Sequence, residues 1–300
     1  MPAFSPDRDL PRLARLLMGA RTAVGHCGYY HLGDLSWNLF LAQLRGEVAE
    51  NLRLWDDAAG TLRGFAWYYP PDAVDIQVAP WLPDREALET EMLEWALARR
   101  LEYLPGEDGP ARLSVEAFEE DARFLAVLER LGFRRAADYK LHMVWDLRQP
   151  VPEPVLPAGY AVRALSIPAD LARRAAVQKA VWPWSRVTPG AYPALLAMPG
   201  YDPQLDLVSV APDGTFAAFA ICWLDPVNRA GEFEPVGTHP EHRGKGLGKA
   251  LVREGLRRLR ERGATAALVY PPGGEVAAER LYASAGFRPL QRQFSYAREL

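Results

Sequence analysis

The run from Arg243 to Gly248, Arg-Gly-Lys-Gly-Leu-Gly, has the clearest chemical potential in this sequence. Glycines let a backbone turn tightly and approach a ligand closely, and the amides at a helix N-terminus point toward an anion. The run lies between the apolar, strand-like residues Phe233 to Thr238 and the helical pattern Lys249 to Arg262. Only four lysines occur in 300 residues, and Lys245 and Lys249 are two of them. The run therefore predicts a phosphate-binding site.

Two other phosphate-binding motifs also place a glycine-rich turn between a strand and a helix. A P-loop needs Ser or Thr after its Gly-Lys pair to bind magnesium, but Gly248-Lys249 is followed by Ala250, which excludes it. A Rossmann fingerprint needs GxGxxG, whereas Gly244, Gly246 and Gly248 give GxGxG after segments typical of an antiparallel meander. Dinucleotide binding is therefore a poor fit.

Hydrophobic periodicity predicts the elements that position this run, and it predicts them twice. Each half opens with a helix, continues with two strands joined by a glycine-containing turn and a third strand, and then has a long helix. The second half continues with a strand, a short helix and a closing segment. In the first half we expect a helix over 10–18 and strands over 52–55, 62–69 and 73–78. In the second half we expect helices over 168–181, 249–262 and 276–285 and strands over 206–210, 215–224, 231–238 and 266–270.

An internal repeat explains the doubled pattern. Leu131-Gly-Phe-Arg134 matches Ala285-Gly-Phe-Arg288 at an offset of 154 positions, and the Gly-Thr turns at Gly60 and Gly214 share that offset. Four prolines between Gln149 and Gly159 predict a stiff connector. We therefore predict an α/β (α+β) protein with domains at 1–148 and 160–300, joined by a Pro-rich linker at 149–159.

Two motifs in the second half of the sequence resemble the signatures of a known enzyme family. The run from Arg243 to Gly248 resembles the Arg/Gln-x-x-Gly-x-Gly/Ala signature of the GNAT N-acetyltransferase superfamily, and the segment Ala278 to Phe287 is similar to its second signature. The resemblance covers about 160–300, while the first half is similar in outline. It implies two tandem GNAT-like domains, each with a mixed, mostly antiparallel central sheet flanked by helices. Glu275 departs from the pattern, because the family often has asparagine there.

The resemblance implies that acetyl-CoA donates an acetyl group to a primary amine, of a small molecule or an amino terminus, by direct attack in a ternary complex. The CoA pyrophosphate would be held by Arg243, Gly244, Lys245, Gly246, Leu247, Gly248 and Lys249. Pantetheine would pair as an added strand with Val236, Gly237 and Thr238. A backbone amide near Val236 would polarise the thioester carbonyl.

Three side chains are the catalytic candidates. The attacking amine must lose a proton, and Glu232 is the leading candidate base because it precedes Arg243 on the strand leading to the phosphate site. Glu234 is two residues further along and should face the same side, so it competes for this role. Tyr282 occupies the family's tyrosine position and would protonate the departing CoA thiolate.

The first half lacks these groups. After Val78 the chain runs from Trp81 to Leu88 without a glycine, and the offset of 154 places Leu128 opposite Tyr282. We therefore expect a degenerate domain without a cofactor site, which supports the second domain or helps to shape the acceptor pocket.

The acceptor site is predicted from aromatic and polar residues. Trp182, Trp184, Tyr192, Trp223 and Asp225 are the candidates. The histidines have no metal-ligand spacing, Cys27 and Cys222 are expected to be buried thiols, and we predict no metal.

Composition and charge limit the classes of partner and function that remain. A net charge of −3 gives no electrostatic case for nucleic acid or a membrane surface, and no long apolar run is present. We expect a cytoplasmic monomer or homodimer that acts on a small amine. The alternative is a non-catalytic acyl-CoA-binding or regulatory protein that retains the fold.

Overall fold

The computed structural model of the chain describes residues 4–26, 28–103 and 111–300. The prediction for Cys27 lies outside these residues, and Cys222 is buried as expected. The helices are α1 (Pro6–Val24), α2 (Leu32–Arg45), α3 (Val48–Asn51), α4 (Arg85–Tyr103), α5 (Ala122–Arg130), α6 (Leu171–Val181), α7 (Tyr192–Leu196), α8 (Leu247–Glu261) and α9 (Val276–Ala285). The strands are β1 (Leu52–Asp56), β2 (Leu62–Tyr69), β3 (Ala73–Val78), β4 (Arg112–Phe118), β5 (Arg134–Asp146), β6 (Ala161–Ala164), β7 (Asp206–Val210), β8 (Phe216–Asp225), β9 (Ala230–Thr238), β10 (Ala266–Val269) and β11 (Arg288–Glu299).

The chain forms two compact units, and neither is continuous in sequence. The first comprises residues 1–30, 47–142 and 290–300, and the second comprises 31–46 and 143–289. Helix α2, from the N-terminal half, therefore belongs to the second unit, while the last eleven residues belong to the first.

The first unit contains a mostly antiparallel sheet. Strands β1, β2 and β3 form an antiparallel meander, and β3 pairs in parallel with β4 only at Ala73 and Val74. The C-terminal strand β11 pairs antiparallel with β4, from Gln293 opposite Phe118 to Glu299 opposite Arg112. Residues of α4 and α5, including Met92 and Val127, fill the core on one face.

The second unit has the same plan. Strands β6, β7, β8 and β9 are antiparallel neighbours, and β9 pairs in parallel with β10. Residues Met143 to Asp146 at the end of β5 pair antiparallel with β10. Five apolar residues of α8 are buried, as its periodicity predicts: Leu247, Leu251, Val252, Leu256 and Leu259. The predicted fold, in which each unit has a mixed, mostly antiparallel sheet flanked by helices, is confirmed.

The repeat is also visible in the element boundaries. The starts of β1 and β7, of α5 and α9, and of β5 and β11 are each 154 positions apart: 52 and 206, 122 and 276, 134 and 288. The predicted strands 52–55, 62–69, 73–78 and 206–210 match β1, β2, β3 and β7 to within one residue. Helix α2 was not predicted, and it has a direct bearing on the site. None of the helices in the described residues is long and apolar enough to span a membrane.

Candidate active site

Strand β9 separates from β10 halfway along its length. The parallel pairing ends at Leu268 opposite Glu232, whereas β8 stays paired with β9 as far as Thr238. A bulge lies between, because Ala220 pairs with Val236 while Cys222 pairs with Phe233. Beyond Glu232, the edge of β9 that faces away from β8 has no strand partner among the described residues. An extended ligand could therefore hydrogen-bond along Val236, Gly237 and Thr238.

The glycine-rich run directly follows this edge. Gly244 and Gly246 have φ of 77° and 78°, and a Cβ atom at either position would meet nothing within 4 Å. Gly246 is the N-cap of α8, no side chain caps the helix, and the first helical amide bond runs from Ala250 to the carbonyl of Gly246. The amides of Leu247, Gly248 and Lys249 therefore lie ahead of the helical hydrogen bonds, as an anion site requires. This open, uncapped helix end fits a pyrophosphate.

Cationic side chains surround the run. The Arg243 and Lys245 side chains are exposed, and Lys249 is half-buried. The Nζ atom of Lys245 donates to the hydroxyl of Tyr160 over 3.2 Å, and that hydroxyl lies 2.9 Å from Nδ1 of His242. A positive charge is thus held next to the open helix N-terminus.

Glu232 is completely buried and belongs to a hydrogen-bonded cluster at the N-terminus of α2. Its Oε2 atom accepts from the amide of Asp34 over 3.0 Å and lies 2.8 Å from Nδ1 of His31. The other ring nitrogen of His31 lies 3.0 Å from the carbonyl of Ala230, so it must carry a proton. Nδ1 accepts from the amide of Gly33 over 3.0 Å, so its lone pair is present. The carboxyl of Glu232 is therefore held between the ring of His31 and the backbone of α2, with no contact to solvent.

Asp34 completes this cluster. Burial raises the pKa of its carboxyl well above the usual range, and Glu232 raises that pKa further, first through its charge and then through a side-chain hydrogen bond. Its Oδ2 atom accepts from the amide of His31 over 2.9 Å, which completes a capping box at the first turn of α2. The cluster thus joins α2 to β9 through buried side chains that are hydrogen-bonded to the first turn of the helix.

Glu234 has a different environment from Glu232. It is half-buried and lies on the wall of an open cavity of about 340 Å³. The indole Nε1 of Trp223 donates to the backbone carbonyl of Glu234 over 2.6 Å, which fixes the strand there. The cavity is lined by Trp37, Leu41, Arg45, Gln178, Trp182, Trp184, Ser185, Arg186, Glu234 and Pro235. The carboxylate is therefore next to both the open edge of β9 and a space of small-molecule size.

Tyr282 is buried in α9, and its ring contacts Phe287 edge-on. Burial raises the pKa of its phenol above the ordinary range, and the charges of Glu234 and Glu275 raise that pKa further. The phenol therefore keeps its proton at neutral pH and can donate it to a forming anion.

Only two of the five predicted acceptor residues lie on the cavity. Trp182 and Trp184 line it. The Tyr192, Trp223 and Asp225 side chains are completely buried, and Asp225 accepts from the amides at 227 and 228 of the β8–β9 turn. The structure does not bring these three to the cavity.

Sequence reasoning missed the wall that α2 supplies. Trp37, Leu41 and Arg45 recur every fourth residue and so lie on one helix face. The spacing of His31 and Asp34, N-cap and third helical residue, is a capping-box spacing that could have indicated this helix.

Comparisons with known proteins agree with this geometry. The model of the acetyltransferase (GNAT) family matches residues 174–287. A mycothiol acetyltransferase from Nocardia farcinica is 29% identical over 270 residues, which cover 84% of either chain.

Solved structures share the fold over the whole chain. A GCN5-related N-acetyltransferase from Sphaerobacter thermophilus has a TM-score of 0.65 at 21% identity and covers 99% of this chain and 94% of its own. A tandem GNAT protein from the clavulanic acid biosynthesis pathway has a TM-score of 0.65 at 16% identity, with 99% and 97% covered. The chain belongs to the GNAT family and is an acetyltransferase built from two tandem GNAT-like domains.

Proposed function

We propose that this protein transfers the acetyl group of acetyl-CoA to the primary amine of a small molecule, by direct attack in a ternary complex. The observation that carries this proposal is the position of Glu234, on the wall of a small-molecule cavity and beside the unpaired edge of β9. A base, an acyl donor and an amine can meet there without a covalent enzyme intermediate.

The proposed CoA site is the edge of β9 and the N-terminus of α8. Val236, Gly237 and Thr238 would hydrogen-bond the pantetheine arm, and the amides and cations from Arg243 to Lys249 would bind the pyrophosphate. The fit is supported by the uncapped helix and by the left-handed glycines Gly244 and Gly246, where a Cβ atom would meet nothing within 4 Å. A backbone amide near Val236 would stabilise the oxyanion.

We propose Glu234 as the general base in preference to Glu232. The carboxyl of Glu232 contacts the ring of His31, is hydrogen-bonded to the backbone of α2 and is completely buried. It therefore anchors the helix, and it does not line the cavity. Glu234 is half-buried on the cavity wall, where it could take that proton.

Tyr282 is proposed as the general acid. As the amine nitrogen bonds to the thioester carbon, the C–S bond breaks and the CoA sulfur leaves as a thiolate. The phenol would donate its proton to that sulfur, giving free CoA and an amide. Glu234 is close enough to Tyr282 for its charge to add to the effect of burial and raise the pKa of the phenol.

Relatives named mycothiol acetyltransferase suggest the first acceptor to test. An amine related to mycothiol is therefore the acceptor to test first. We also propose that residues 1–148 and 160–300 are the two copies of the repeat, joined by the linker 149–159, with one active site in the second copy.

The proposal is tested by measuring free thiol release from acetyl-CoA with this amine and with a panel of simple primary amines. We expect amine-dependent release and, by mass spectrometry, a product heavier by one acetyl group. Calorimetry should report acetyl-CoA binding separately. Binding without release for any amine would refute the proposed reaction.

A further inference from the structure

The charges around the cavity beside Glu234 limit the chemical class of the acceptor. Two arginines, Arg45 and Arg186, line it, together with one acidic residue, Glu234. Gln178 is the neutral polar side chain deepest in the wall, because its exposed fraction is 2%. The charged lining is therefore net positive.

A simple cationic amine suits this lining poorly. Its ammonium would be attracted to Glu234 but repelled by two guanidinium groups. An amine that also carries an anionic group suits the lining well, because the nitrogen can face Glu234 while the anion pairs with arginine. Guanidinium groups bind carboxylate and phosphate in a planar, two-point geometry.

The two arginines are in positions to do this. Arg186 is exposed in the segment after α6, and its guanidinium forms no ion pair with the rest of the described chain. By contrast, Arg174 and Arg163 of the same unit are ion-paired, Arg174 with Asp206 over 3.2 Å and Arg163 with Asp170. Arg45, on the last turn of α2, shares a face with Trp37.

The indoles indicate the rest of the acceptor. Trp37, Trp182 and Trp184 all line the cavity, and Trp184 has an exposed fraction of 76%. A large apolar side chain this exposed at the rim of a cavity is typical of a surface that a ligand covers. Indoles stack well on flat or apolar groups.

Building on the proposed function, we infer that the acceptor is a primary amine that also carries a carboxylate or phosphate on an apolar body, and that Arg186 binds this anionic group with the help of Arg45. The first half of the repeat thereby contributes to acceptor specificity through α2.

The test uses two matched pairs of amines that have similar basicity within each pair. Phenylalanine is compared with phenethylamine, and O-phosphoethanolamine with ethanolamine, in the thiol release assay on the full chain. We expect the anionic member of each pair to have the higher kcat/KM. If the difference is larger for phenylalanine, the site prefers a carboxylate, and if it is larger for O-phosphoethanolamine, the site prefers a phosphate. Arg186→Gln should raise KM about fivefold for the anionic member only, as expected for a solvent-exposed ion pair. Arg45→Gln should act in the same direction.

Arg260→Gln is the matched control, because Arg260 is an exposed arginine of α8 that does not line the cavity. It should leave both members of each pair unchanged. Equal kcat/KM within each pair, or an Arg186→Gln effect that is the same for charged and uncharged amines, would overturn the inference while leaving acetyl transfer intact. Release of thiol by no amine, despite acetyl-CoA binding, would count against both this inference and the proposed function.

Discussion

Adding one methyl group at Gly33 should displace the α2 wall of the cavity. A Cβ atom there would lie 2.2 Å from Oε2 of Glu232 and 2.5 Å from Cγ of Trp223. Non-bonded heavy atoms pack best at about 3.5 to 4.0 Å, so the first turn of α2 must retreat from β8 and β9 by about 1 Å or more. The hydrogen bond from the Asp34 amide to Oε2 of Glu232 and the contact of that oxygen with the His31 ring would both be stretched or lost.

The magnitude follows from these contacts. Overpacking costs about 1 to 3 kcal/mol, and each buried polar group left unsatisfied adds about 1 to 3 kcal/mol. We expect Gly33→Ala to lower the free energy of unfolding by about 3 to 5 kcal/mol, measured by urea denaturation with tryptophan fluorescence. KM for the acceptor should rise, because α2 carries Trp37 and Arg45. The affinity for acetyl-CoA should stay close to that of the wild type, because its proposed site is on β9 and α8.

Gly190→Ala is the matched control in the same unit. Its φ is not left-handed, and the nearest atom to an added Cβ would be Oγ1 of Thr188 at 3.9 Å. This substitution should change stability by less than about 1 kcal/mol. The packing argument fails if Gly33→Ala matches Gly190→Ala in both unfolding free energy and acceptor KM.

Four further outcomes are expected. Glu234→Gln should lower kcat by about a hundredfold or more in steady-state assays. Glu232→Gln should keep most of the activity, because an amide can still hydrogen-bond to the histidine ring. If Glu232→Gln is the more damaging change, the two residues exchange their roles. Tyr282→Phe should lower kcat about a hundredfold with acetyl-CoA affinity unchanged by calorimetry, and an unchanged kcat would remove Tyr282 from the mechanism. Gly246→Val should fold, since its Cβ meets no atom, but weaken acetyl-CoA binding through strain at φ of 78°, and unchanged affinity would contradict the phosphate site. Burial and the charge of Glu116 raise the pKa of Asp75 to about 7, so its contribution to stability is lost as pH rises from about 4 to 7. Asp75→Asn should flatten that part of the urea midpoint profile, and a profile that is unchanged would refute this assignment.

Much of the fold follows from local sequence signals. The strands from Leu62 to Tyr69 and from Asp206 to Val210 are predicted from apolar runs bounded by turns, and the buried face of α8 from its periodicity. These signals are local because each is set by side chains within one element. The phosphate-binding run is equally local, since its glycines and cations are contiguous.

The cavity could not be predicted in the same way. Helix α2 is buried on nearly all sides, with Leu35, Trp37, Leu39 and Phe40 each at most 4% exposed, so it lacks the polar face that makes a helical period clear. Its partner, Glu232, is about two hundred positions away in sequence. Tyr192, Trp223 and Asp225 were predicted to contact the acceptor because they are aromatic or acidic, but residue type alone does not distinguish a cavity wall from a core.

The distribution of chemistry between the two copies of the repeat explains the importance of α2. The first copy has Trp81 to Leu88, without a glycine, where the second has its glycine-rich run, so we expect no CoA groove in the first copy. Helix α2 of the first copy instead belongs to the second unit. The cluster of His31, Asp34 and Glu232 holds that helix through contacts among its own buried polar groups. Glu234, two residues along the same strand, remains the ionisable carboxyl on the cavity wall. If the proposed function is correct, one copy binds the donor while the other shapes the acceptor side of the same site.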